Sequence, residues 1–137
     1  MNYYVNSSNG QQRELGCRQT VEQDPRVKNI TTINVLSTTE DARAGAKEML
    51  LSDSRINVVV TFNEWTSLGV GWAIRDLNRA DRIQVVAFDS NVVSVGMLET
   101  GEVDALIVQN PYAMGYLGVE TAANLMNGQT GGPSVVD

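Results

Sequence analysis

The chain has 137 residues, 42% of them hydrophobic, and a net charge of −6, which suffices for one domain with a true core and, lacking a basic patch, excludes a nucleic-acid backbone as partner. Histidine is absent and Cys17 is the single cysteine. Ser-His-Asp and Cys-His nucleophile systems, histidine metal sites and an intrachain disulfide are therefore excluded.

β-rich segments alternate with helical patterns along the chain. A short strand is expected from Asn2 to Asn6, then a helix from Gln11 to Gln23, stopped by Asp24-Pro25. Cys17 falls inside that helix as a small half-buried residue; the faint lipoprotein-like string Leu15-Gly16-Cys17 has no apolar segment before it. The second strand is expected from Ile30 to Leu36. Ser37-Thr38-Thr39-Glu40 has capping-box spacing, and Ala42, Ala46, Met49 and Leu50 then share one helical face. A near-continuous apolar run, Ile56 to Phe62, reads as a strand buried on both faces. Trp65, Leu68, Gly69, Trp72, Ala73 and Ile74 outline the buried face of the next helix, which ends near Arg79. Ile83 to Phe88 is a second near-continuous apolar strand. The helix from Val92 to Thr100 stops at Gly101, and the fifth strand runs from Val103 to Gln109. Asn110 as cap and Pro111 at the first position open a last helix, running to Gly128; the tail beyond is rich in Gly and Pro.

Strict alternation of strand and helix implies right-handed parallel crossovers, hence an α/β, doubly wound, five-stranded parallel sheet. The flavodoxin-like order 2-1-3-4-5 is expected, with the short first strand in a central position. No apolar run reaches membrane-spanning length and no signal peptide is visible, so the polypeptide as written is expected to stay where it is made, export requiring a longer parent.

Open parallel sheets bind ligands beyond the carboxyl ends of their strands. Ser7, Ser8, Asn9 and Arg13 follow the first strand, Ser37 and Thr38 the second, Asn63 and Glu64 the third. Asp89, Ser90 and Asn91 follow the fourth, and Gln109 and Asn110 close the fifth. Amides, hydroxyls, a carboxylate and a guanidinium on one edge suit a neutral polyhydroxylated ligand. An aspartate accepts from adjacent hydroxyls, arginine donates in a rigid fork, and Asn and Gln do both. Taken singly, each of these residues is better explained as a helix cap or turn former, and only their combination on one edge points to a ligand.

Phe88-Asp89-Ser90 and the run from Gly101 through Gln109-Asn110-Pro111 to Tyr116 resemble the corresponding end of periplasmic sugar-binding proteins of the ribose-binding type. Asn63-Glu64 with Leu68-Gly69 resembles the family's third-strand signature, and Gln12-Arg13-Glu14 its arginine-bearing helix start. The similarity extends from about Tyr3 to Gly128. It implies the carboxyl-terminal lobe of a two-lobed fold and four sugar-contacting positions: Arg13, Asn63, Asp89 and Gln109. It implies a binder and not an enzyme, without cofactor or metal, serving a sugar ABC transporter whose membrane permease is a partner of the full-length, periplasmic parent. It also divides the chain into an α/β domain over 1–109, a hinge and helix over 110–128 that pack on the amino-terminal lobe, and a tail over 129–137. Ser37 or Thr38 stands where the family commonly has an aromatic residue, so sugar stacking is expected to be lost or to come from elsewhere. Without a facing lobe the last helix is expected to fold back on the sheet or to pair with another copy, and binding by this segment alone is expected to be weak.

The rival readings lack their signatures. A receiver domain needs an acidic cluster, an aspartate and a lysine where this chain has Ser7, Asn63 and Gln109, and Ser7-Ser8-Asn9-Gly10 is only a weak flavodoxin-like echo. Gly69-Val70-Gly71 falls inside a helix pattern and so cannot be a dinucleotide loop. Glu64 and Asp89 as an acid/base pair lack a nucleophile or metal cluster. The effector core of a LacI-type repressor shares the fold and stands as the alternative, beside an inactive truncated fragment.

Overall fold

Five helices and five short strands alternate, as a computed structural model shows for residues 1–4, 6–36 and 38–129. The strands are β1 (Asn2–Tyr3), β2 (Asn34–Val35), β3 (Val58–Val60), β4 (Gln84–Phe88) and β5 (Ala105–Ile107). The helices are α1 (Ser8–Val21), α2 (Thr39–Ser52), α3 (Glu64–Leu77), α4 (Val92–Thr100) and α5 (Pro111–Met126). All pairings are parallel, in two pieces: β1 beside β2, and β3-β4-β5. The strands thus form two separate parallel sheets, β1-β2 and β3-β4-β5, in place of the one five-stranded sheet of order 2-1-3-4-5 that was expected. The Met1 amino group donates to the Val60 carbonyl, which sets the start of β1 against the end of β3. A two-residue strand has too few backbone groups to extend that contact into a ladder.

Helix boundaries follow the caps. Ser7, Thr38, Asn63, Asn91 and Asn110 each accept a bond from the backbone N–H three residues on. The cap of α2 is therefore Thr38, one residue later than the expected box, and Ser37 lies outside the described residues. Asn78 and Gly101 end α3 and α4 in the left-handed conformation, as Asn and Gly tolerate.

The core lies on one side of the sheet. Ala42, Ala46 and Leu50 of α2 and Val70, Ala73 and Ile74 of α3 pack with Val59, Val85 and Ala87, all essentially inaccessible. Trp65, expected on the buried face of α3, is 47% exposed, whereas Thr66 and Ser67 of the same turn are buried. The alternate strand positions face the other side, where Val58 and Ile107 stay about half exposed. Helix α1 has no apolar face and Gly10 is its one buried residue. Polar bonds hold it instead: Glu14 accepts from Asn2, Arg18 and Thr32, linking the helix to β1 and to the segment before β2.

Helix α5 has no buried residue, so it does not fold back on the sheet; Tyr112, Val119 and Met126 are all more than two-thirds exposed. Among the described residues no helix is long and apolar enough to cross a membrane.

Two carboxylates should make the fold sensitive to acid. Burial raises the pKa of Glu14, but its bonds from Thr32, Arg18 and Asn2 outweigh this and hold it below the ordinary 4.5. The bond from Arg75 lowers that of Glu102 against its own burial, with the Thr100 hydroxyl adding to the effect. A carboxyl depressed in the folded state stabilises above its unfolded value, and that contribution disappears as pH falls through the folded value. Stability should therefore drop as the pH is taken below 4.5. Urea midpoints at neutral and acidic pH measure the loss, and the double variant Glu14→Gln, Glu102→Gln should show a smaller one. An unchanged pH slope in that variant would remove these carboxylates as the cause.

Candidate functional site

The carboxyl ends of β3, β4 and β5 open on the same edge because the strands are parallel and in register. Asp89 immediately follows β4, Gln109 lies two residues beyond β5, Asn63 three beyond β3, and Arg13 is in the second turn of α1. Three of these meet directly. Arg13 Nη1 lies 3.8 Å from Asp89 Oδ2, and Gln109 Nε2 donates to Asp89 Oδ1 at 2.5 Å.

Arg13 is held before any ligand arrives. Its Nη1 donates to the Phe62 carbonyl at 2.7 Å, and its guanidinium lies 5.0 Å over the Phe88 ring. Phe88 in turn receives Phe62 edge-on, with ring centroids 5.8 Å apart. Its ring is already occupied by side chains of this rim.

Asp89 has φ of +65°, a left-handed conformation that Asp and Asn adopt at less cost than other side chains. Its amide donates to the Ile107 carbonyl at 2.9 Å, which fastens the turn to the end of β5.

Asn63 joins through the backbone, since Arg13 bonds the carbonyl of its neighbour Phe62. It is 6% exposed and caps α3 with Oδ1, accepting from the Thr66 amide at 2.9 Å and the Thr66 hydroxyl at 2.7 Å. Its Nδ2 is buried and finds no partner among the described residues. A buried orphan donor costs roughly 1–3 kcal/mol, so this is the one place on the rim with an unmet hydrogen-bonding demand in the described structure.

Other rim residues serve the fold. Thr38, near the family's aromatic position, caps α2. Glu64 accepts from Asn91 Nδ2, which ties the starts of α3 and α4 together and gives Glu64 a partner other than Asp89.

The profile of the periplasmic binding protein domain matches residues 2–130. The chain belongs to this family. Among relatives of the periplasmic binding protein domain is the D-ribose/D-allose-binding protein of Pseudomonas aeruginosa, 27% identical over 90% of this chain and 39% of the relative. The periplasmic component of an ABC-type sugar transport system from Hahella chejuensis superposes on the whole chain and 50% of its own length, with a TM-score of 0.92 and 26% identity. A carbohydrate transporter solute-binding protein from Agrobacterium radiobacter, in complex with D-arabinose, gives a TM-score of 0.90 at 26% identity over 96% of this chain and 45% of its own. This periplasmic binding protein domain thus spans half or less of the length of each of these three proteins.

Sequence reasoning missed the buried hydroxyls beneath this rim. Thr61, Thr66 and Ser67 are at most 1% exposed and bond to one another or to Asn63. A detectable signal existed: Asn63-x-x-Thr66 has the spacing of a capping box. Nothing in the local sequence shows that Ser67 reaches the neighbouring strand.

Proposed function

We propose that the chain is the carboxyl-terminal lobe of the solute-binding component of a sugar ABC transporter, and that its rim binds a monosaccharide through Arg13, Asn63, Asp89 and Gln109. The unpartnered Nδ2 of Asn63 carries the proposal, together with the acceptor and donor set of Asp89, Gln109 and Arg13 at the same strand ends. A sugar hydroxyl accepts from such an amide and donates to a carboxylate, so one polyol satisfies both. A named ribose/allose binder among the relatives, and a related structure holding D-arabinose, favour pentoses and hexoses.

The role is binding, followed in the longer protein by delivery to the membrane permease from the periplasm. Helix α5 and the open sheet face are surfaces suited to a facing lobe, α5 following the hinge at Asn110. Gln109 is exposed, Arg13 and Asp89 are half-buried and Asn63 is buried. Each neutral hydrogen bond then contributes about 0.5–1.5 kcal/mol, and those to a charged group about 1.5–3. The sum for four residues is about 4–9 kcal/mol before the cost of association, which brings it down to the ~4 kcal/mol of a millimolar complex or less.

Titration of the isotope-labelled chain with D-ribose, D-allose and D-arabinose should move the side-chain amides of Asn63 and Gln109 with dissociation constants in the millimolar range. Shifts scattered over the surface, or none at saturating sugar, would end the assignment.

A further inference from the structure

We propose that Ser67 is a positioning residue for the rim: its hydroxyl, locked between the backbones of Asn63 and Phe88, sets the separation of Asn63 and Asp89. It rests on the sugar-binding role given above for those two residues.

Strands β3 and β4 are joined in register through Val60 and Val86, and the last backbone rung runs from the Thr61 amide to the Val86 carbonyl. Beyond it the chain turns into α3, whereas β4 continues to Phe88. At that point Phe88 loses its neighbour on the β3 side, and Ser67, in the first turn of α3, supplies a side-chain rung. The Phe88 amide donates to Ser67 Oγ at 3.0 Å, and Ser67 Oγ lies 2.8 Å from the Phe88 carbonyl and 2.7 Å from that of Asn63. Thr61 Oγ1 is a further 2.7 Å partner.

A hydroxyl has one proton and two lone pairs. Oγ accepts from the Phe88 amide and the Thr61 hydroxyl, and its one proton serves the two carbonyls. Ser67 is 1% exposed, so water cannot take over these bonds. Asn63 is thereby tied through its own carbonyl, and Asp89 through the residue before it. The left-handed turn at Asp89 starts from this anchored peptide.

Ser67→Ala removes the rung without adding volume. Two readouts test it on the whole chain. In the ligand-free protein, hydrogen exchange of the Phe88 and Asp89 amides should accelerate at least about tenfold, while Val85, deeper in β4, stays protected. In sugar titrations the dissociation constant should rise about tenfold, and Ser67→Thr, which keeps the hydroxyl, should recover most of that loss. Unchanged exchange at Phe88 and Asp89, or unchanged affinity in a variant that has lost protection there, overturns the proposal. A wild-type chain that ignores all three sugars sinks the sugar-binding role instead; the exchange readout then decides alone whether Ser67 holds these two strand ends.

Discussion

Gly69→Ala should destabilise the chain by about 2–3 kcal/mol, although alanine is otherwise the better helix residue by roughly 1 kcal/mol. A Cβ at Gly69 would stand 2.4 Å from the Ala42 Cβ, 2.7 Å from the Arg43 amide nitrogen and 2.8 Å from the Thr39 carbonyl. Two of those atoms are backbone, so relief requires α2 and α3 to move apart. Their contact supplies much of the core, since Ala42, Ala46, Val70 and Ala73 are all completely buried. For a chain of this size the loss corresponds to a fall of roughly 7–10 °C in melting temperature. Gly71 is the internal control. Its Cβ would meet Met97, 2.3 Å from Sδ, but a thioether swings aside at lower cost. Gly71→Ala should therefore lose less than half as much. Thermal and urea unfolding measure both, and a Gly69→Ala protein that melts at or above the wild type would show that the helices do not approach this closely.

That close approach was not legible in the sequence, where Gly69 looked like one more small residue on a buried helix face. What was legible was local chemistry. The caps at Asn63, Asn91 and Asn110 and the stop at Gly101 each follow from a side chain or a backbone preference acting within four residues, and the helix ends agree closely. Strand lengths were overestimated, because apolar runs extend beyond the residues that find a parallel partner. Ile56 and Phe62 flank β3 and pack without joining the ladder. The rim followed from topology: parallel strands bring residues after β3, β4 and β5 to one edge whatever their separation in sequence. Three of the expected four touch, and the fourth is joined through a neighbour's carbonyl. The unpartnered end of the Asn63 amide was not visible. Capping and ligand recognition looked like alternatives for such residues, yet Oδ1 caps α3 while Nδ2 is left over.

Asp89→Asn should weaken sugar binding about 100-fold and leave the melting temperature within about 2 °C. The asparagine suits the left-handed backbone at this position, where φ is +65°, so the turn survives. The Ile107 carbonyl still receives the residue's amide, because that bond involves only backbone. What changes is the acceptor set. Both carboxylate oxygens are engaged or poised, Oδ1 by Gln109 and Oδ2 facing Arg13. The amide replaces one of them with a donor, which then faces either the Gln109 amide nitrogen or the arginine, and one acceptor for sugar hydroxyls is lost. A charged hydrogen bond contributes about 1.5–3 kcal/mol, and 100-fold is about 2.7 kcal/mol. Gln109→Ala, which removes a neutral and exposed partner, should cost nearer tenfold. The ordering separates a carboxylate that grips hydroxyls from one that merely orders Arg13. In the second case Asp89→Asn and Gln109→Ala would weaken binding alike, and Arg13→Lys, which keeps the charge but loses the fork, would be the more damaging substitution.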